Sequence, residues 1–184
     1  MYEQFKSRAE GVGSELHRFR TRGEAHNFIC TFLQHERAVN ASGTAAVWAP
    51  GSFLSSIDTS RLSADVPGLS FSISRQAAAE ATVGITEMGW ALADTGSLVA
   101  DQSAVEQRLA STLPPIHIAI IGTERILPDK AAVFASINPA NSRYIAFITG
   151  PSRTADIERV LTIGVHGPKR LVIVFVDEME GAAP

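Results

Sequence analysis

The chain has 184 residues, 45% of them apolar and 19% charged, with a formal net charge of −3. That length supports one sizeable core and does not demand two. The charge excludes a general nucleic-acid binder, which needs a basic excess to neutralise phosphates.

Residues 1–20 are mixed polar, broken by Gly11, Gly13 and Ser14, and suggest a loosely held arm or a short helix. Glu3, Lys6, Arg8 and Glu10 leave no apolar segment of a signal peptide there. No apolar run approaches the roughly 20 residues of a membrane span. The expected location is therefore the cytoplasm. Thr21-Arg-Gly-Glu24 reads as a capping box. Ala25, Phe28, Ile29, Phe32 and Leu33 follow at the spacing of one helical face. Cys30 falls within that pattern and reads as a buried small hydrophobe. As the single cysteine, it can supply neither an intramolecular disulfide nor the four thiolates of an ordinary iron–sulfur cluster.

A short strand is expected at residues 44–49, a helix within 52–62, a break at Val66-Pro-Gly68, and a small strand at 69–72. Ser74 can cap an Ala-rich helix over residues 75–81. Residues 83–86, 90–93 and 97–100 read as strands. The short turn Asp94-Thr-Gly96 should pair the last two antiparallel. A helix over 104–112, with Val105 and Leu109 on one face, is stopped by Pro114-Pro115. Residues 116–121 are apolar except for His117, which reads as structural. A helix over 129–137, a loop over 138–143, a strand over 144–148, a helix over 155–163 and a strand over 171–176 follow.

Strands alternate with helices in this half, and two strands are apolar at nearly every position. That is the pattern of parallel strands covered on both faces. The expected fold is a three-layer α/β/α domain, mostly parallel, with one antiparallel hairpin near residues 94–97. The domain spans residues 21–178, between the arm at 1–20 and a tail at 179–184.

Residues 149–158, Thr-Gly-Pro-Ser-Arg-Thr-Ala-Asp-Ile-Glu, are followed closely by Gly164-Val-His-Gly-Pro168. In the expected fold these polar groups gather at the carboxyl end of a strand and the amino end of a helix, where open α/β sheets bind ligands. Thr154 and Asp156 would cap the helix start and Gly164 its end. Gly150, Pro151, Ser152 and Arg153 are not explained by capping; their amides and guanidinium suit a carboxylate. Asp156 argues against a polyphosphate.

These motifs resemble the carboxyl-terminal signature of the lactate utilization protein C family, the LUD domain. Gly84-Ile-Thr86 with Leu92-Ala-Asp-Thr-Gly-Ser97 and Leu113-Pro-Pro-Ile-His117 are further matches in the expected order. The family commonly has Glu where Asp94 stands and Thr where Ser97 stands; both functional groups are retained. The resemblance implies an α/β/α fold similar to sugar-phosphate isomerases and CoA-transferases (NagB/RpiA-like). It also implies a role in oxidising L-lactate to pyruvate beside iron–sulfur partner proteins. The single cysteine fits that division of labour.

Candidate ligand-binding residues are Thr86, Thr95, Gly96, Ser97, Gly150, Pro151, Ser152, Arg153 and Thr154. Glu87, Asp94 and His166 are candidates for proton transfer. Each has a bland alternative: a turn for residues 94–97, a salt bridge for Arg153, a backbone-bonded turn for His166. The five histidines show no metal-ligand spacing, and no dinucleotide fingerprint or nucleophile elbow is present. Three functions stay open: an accessory or substrate/cofactor-binding subunit, an autonomous enzyme acting on a small acid, acyl-CoA or sugar phosphate, and a purely structural interaction subunit.

Overall fold

Short-range hydrogen bonds set several helix starts. The Thr21 hydroxyl accepts from the Glu24 amide, and the Glu24 carboxylate accepts from the Thr21 amide, so the capping box forms as its residues dictate. Ser74 and Asp129 likewise accept from the amides of Ala77 and Ala132. The computed structural model describes residues 1–39, 45–55, 57–155 and 161–179. Its helices are α1 (Tyr2–Gly11), α2 (Arg22–Val39), α3 (Ser52–Ser55), α4 (Thr59–Asp65), α5 (Arg75–Glu80), α6 (Val105–Thr112) and α7 (Lys130–Ser136). Its strands are β1 (Glu15–Thr21), β2 (Ala46–Trp48), β3 (Leu69–Ser70), β4 (Val83–Glu87), β5 (Trp90–Leu92) and β6 (Ser97–Asp101). They continue with β7 (Ile116–Gly122), β8 (Ile126–Leu127), β9 (Ile145–Ile148), β10 (Arg153–Ala155), β11 (Leu161–Ile163) and β12 (Arg170–Glu178).

Among the described residues, six strands form a parallel sheet in the order β1-β12-β7-β4-β2-β3. β7 and the central part of β12 are buried throughout, which is why their sequences are apolar without alternation. On one face, Ala25, Ile29 and Leu33 of α2, with Phe53 and Leu62 of α3 and α4, pack against Ile85, Ile118, Ile120 and Val174. On the other, Phe5 and Ala9 of α1 join Ala91, Leu98 and Ala100 of a second sheet against Ala119, Ile121, Ile173 and Phe175. That second sheet runs β8-β5-β6-β9. The architecture is α/β, mostly parallel, with the expected antiparallel pair β5–β6.

α6 crosses this face so closely that a Cβ on Gly84 would lie 1.8 Å from the Ala110 carbonyl oxygen. Only glycine fits there. Its partly buried Leu109 packs beside Ala110, while Val105 is 47% exposed.

The short helix, one of the two readings of residues 1–20, is formed as α1, and residues 15–21 are the edge strand of the main sheet. Fully buried Phe5 stacks edge-on against Phe175 at 5.3 Å, and burying such a ring stabilises by about 1.5–3 kcal/mol.

The strand near 144–148 does not join the parallel sheet; β9 pairs antiparallel with β6 in the smaller one. It is only half-buried, which matches a strand covered on one side.

Where a helix is expected over 155–163, the described residues at both ends are strand: β10 and β11 pair antiparallel, Thr154 opposite Thr162, and residues 156–160 lie outside the described residues. Thr154, Thr162 and Ile163 of these strands are β-branched, and such residues lose side-chain freedom in helices and fit a pleated surface. Thr154 is therefore a strand residue and not a helix cap. Gly164 does take a left-handed conformation, φ 77°, but after a strand and not after a helix. Asp156 lies outside the described residues.

Candidate functional site

Residues 149–153 leave β9 through Gly150, which has φ 71° and faces the carboxyl end of α1; a Cβ there would lie 2.7 Å from the Val12 carbonyl oxygen. The next bonds fix the segment against the loop before β12. The Ser152 amide donates to the Pro168 carbonyl at 2.9 Å, and the Gly164 amide donates to the Ser152 carbonyl at 2.8 Å. Arg153 donates from Nη2 to the Val12 carbonyl. Ser97 Oγ and Thr149 Oγ1 lie 2.7 Å apart, which ties the turn at residues 93–96 to the same segment.

These constraints shape a cleft of about 520 Å³. One wall is the run from Tyr144 to Arg153, the other is Gln102 with Ser111 and Thr112 of α6, and His166 to Pro168 close one end. Leu171 and His117 also line it. Both are second residues of their strands, so the cleft lies at the amino ends of β7 and β12. Open parallel sheets more commonly bind ligands at the carboxyl ends. The difference follows from β9 belonging to the smaller sheet.

Of the sequence-derived candidates, Gly150, Pro151, Ser152, Arg153 and His166 come together in this cleft. Arg153 and His166 are exposed. Thr86 is fully buried, its hydroxyl 2.8 Å from His117 Nε2. Ser97 is also buried; Asp94 and Thr95 are exposed on the turn. Gly96, φ 69°, is held against α1, where a Cβ would come within 2.4 Å of the Ala9 nitrogen. The side chain of Thr154 lies outside the described set.

Glu87 sits elsewhere. At the carboxyl end of β4 it accepts from Ser52 Oγ at 2.6 Å and from the Phe53 amide at 2.8 Å, at the start of α3. It borders a separate cavity of about 190 Å³ with Met88, Trp90, Gly122 and Glu124. Glu87 and Arg153 therefore belong to different ends of the sheet.

Sequence reasoning passed over His117, Gln102 and Ser111 as site residues. Gln102 and Ser111 are 1% and 3% exposed and bond to each other, Nε2 to Oγ at 3.0 Å. Burial pushes the His117 imidazole down to about 4, so the ring is neutral at pH 7. The signal for it was a lone polar residue in an otherwise apolar strand. Cys30 is half-buried, and burial pushes its thiol up, away from reactivity. Among the described residues no group of three or more His, Cys, Asp or Glu could hold a metal ion, and no helix is long and apolar enough to cross a membrane.

A family model of the LUD domain matches residues 2–176. The chain belongs to the LUD domain family. This LUD domain is 37% identical over 107 residues to a lactate utilization protein C of Geobacillus sp. (strain WCH70), covering 55% of this chain and 44% of that protein. It is 38% identical over 107 residues to lactate utilization protein C of Bacillus subtilis (strain 168), covering 55% of this chain and 45% of that one. The matched region thus spans less than half the length of those curated relatives. In fold it is similar to the crystal structure of a DUF162 family protein from Deinococcus radiodurans, with a TM-score of 0.60 and 19% identity, covering 95% of both chains.

Proposed function

We propose that this LUD domain acts in lactate utilization, as an accessory or substrate- and cofactor-binding subunit of a cytoplasmic system that oxidises L-lactate to pyruvate. Iron–sulfur partner proteins carry the electrons, since one cysteine cannot hold an ordinary cluster. The names of the related proteins support the process. The observation that carries the binding role is the cleft beside Gly150 to Arg153. Its 520 Å³ falls in the range of pockets that hold small organic molecules, roughly 300–1,000 Å³. An exposed guanidinium at its edge is suited to a carboxylate, which it can engage with two parallel bonds. The small acid is held by Arg153 and the neighbouring backbone, with His166 opposite, and the remaining volume accommodates an organic cofactor.

An interaction role is compatible with the same surface. Phe134 and Phe147 are 46% and 38% exposed, with rings 6.1 Å apart, and Tyr144 and Val165 are exposed nearby in sequence to the cleft segments. Exposed aromatic residues of this kind suit a partner protein.

Growth on L-lactate tests the proposal. A strain lacking the chain is complemented with the wild type or with Thr112→Trp, which crowds the cleft from an exposed position on α6. The wild type restores growth and the crowded variant does not, although both melt at the same temperature. Equal rescue by both would remove the cleft from the reading, and unimpaired growth of the deletion strain would remove lactate.

A further inference from the structure

β9 is an outer strand of the smaller sheet, whose order is β8-β5-β6-β9. Two hydrogen bonds fix which of its backbone groups face outward. The Gly89 amide donates to the Val99 carbonyl at 2.9 Å, on the β5 side of β6, and the Gln102 amide donates to the Tyr144 carbonyl at 2.8 Å, on the β9 side. Alternation along β6 then aims Leu98 and Ala100 at β9, where they face Ile148 and Ala146. The amides and carbonyls of Ile145 and Phe147 therefore point away from β6. None of these four groups has a hydrogen-bond partner among the described residues.

The cleft runs along this edge. Every residue from Tyr144 to Arg153 lines it, although the side chains of a strand alternate between faces, so backbone forms much of that wall. α6 and the loop before β12 supply the facing side through Thr112 and His166. Residues 144–152 carry no charge, no acidic side chain lines the cleft, and exposed Arg143 stands just before the uncharged run. Other outer strands are less open to pairing. β3 and β8 have two residues each, and β1 carries exposed Arg18 and Arg20, with the Arg20 amide already donating to Glu24.

We propose that this edge receives an extended segment of a partner polypeptide, which joins the smaller sheet as a strand antiparallel to β9. Unpaired amide and carbonyl groups repeating every second residue fit another backbone of the same repeat, and Ile145 and Phe147 exchange four bonds with it. The direction continues the antiparallel pairing of β5, β6 and β9. It sets the carboxyl end of the segment beside Arg143, which selects an acidic residue there, while the uncharged run selects uncharged residues before it. Phe147, 38% exposed and 6.1 Å from the Phe134 ring, offers the segment an aromatic surface on one face. The inference is independent of the small-acid reading, which uses the Gly150–Arg153 end of the cleft.

A synthetic library of heptapeptides, each ending in aspartate with a free carboxyl terminus, tests it on the immobilised chain. Enriched peptides should lose affinity about tenfold on N-methylation at each residue opposite Ile145 or Phe147, the scale of one hydrogen bond, and much less at the residue between. Phe147→Pro removes an amide that β6 does not use, so the variant should fold and melt close to the wild type yet lose the peptides. Phe147→Ala keeps the amide and should bind more tightly than Phe147→Pro, and Arg143→Gln should weaken binding about tenfold. No enriched peptide, or peptides indifferent to the methylation pattern, would overturn the proposal. So would a dimer in sedimentation of the peptide-free chain that Phe147→Pro abolishes, because a second copy would then cover the edge. L-lactate is titrated separately on the wild type, so either reading can fail alone.

Discussion

The Arg153 guanidinium reaches back to the Val12 carbonyl at the end of α1, 141 residues earlier in the chain. One side chain thus joins the first helix to the segment that walls the cleft, and Gly150 and Gly13 leave the space that this approach needs. Arg153→Ala should lower stability by about 1 kcal/mol, the net worth of one partly exposed hydrogen bond. It should also weaken carboxylate binding. Arg153→Lys should recover charge but not the paired geometry, so affinity returns only in part. Urea denaturation beside calorimetric titration separates the two effects.

Gly84→Ala tests the packing of α6. The added Cβ would sit 1.8 Å from the Ala110 carbonyl oxygen, and backbone must move to admit it. A loss of about 3 kcal/mol or more is expected, at the upper end of overpacking. A melting temperature unchanged from the wild type would show that α6 does not lie this close.

Much of this was legible in the sequence because it is local. Thr21 with Glu24, Ser74 and Asp129 each find their partners within three residues, so no tertiary context is needed to read them. The buried face of α2 and the apolar strands β7 and β12 follow from periodicity alone. The part that was not legible depends on partners far away in the chain. Residues 145–148 carry nothing that distinguishes a strand in the parallel sheet from one beside β6. The register of Arg153 opposite Ile163 likewise competes with a plausible helical pattern, and β-branched residues decide it. Several family-signature residues have structural work that spacing could not reveal: Gly84 admits α6, Gly96 admits α1, and Thr86 holds His117.

His117 gives a pH dependence whose sign is fixed. Its folded value is about 4, below the ordinary 6.5, because burial disfavours the charged ring. At pH 7 it is neutral in both states and costs nothing. As pH falls from 6.5 towards 4, the unfolded chain takes up a proton that the folded chain refuses, so stability falls. The full loss is about 3 kcal/mol, from roughly 1.4 kcal/mol per pH unit. Denaturation curves of the wild type and His117→Phe should therefore converge or cross between pH 6.5 and 4, the wild type losing more. Parallel curves across that window would contradict the buried neutral ring.

Glu87→Gln separates the two ends of the sheet. The variant keeps one acceptor and loses the other, which should cost about 1 kcal/mol at the start of α3. Ligand affinity in the cleft should be unchanged. A variant that folds normally yet loses all binding would move the site to the carboxyl ends of β4 and β7.

The cleft beside Gly150 to Arg153 is proposed to bind the small acid, with or without an organic cofactor. Thermal unfolding of the purified chain tests this most directly, with L-lactate, pyruvate, a flavin and a nicotinamide dinucleotide added in turn. A ligand at 100 times its dissociation constant stabilises by about 2.7 kcal/mol, and for a chain of this size that raises the melting temperature by about 5–10 °C. Such a rise is expected with L-lactate, reduced by Arg153→Ala and by Thr112→Trp. No rise with any of the four, or a rise that both variants retain in full, would contradict it.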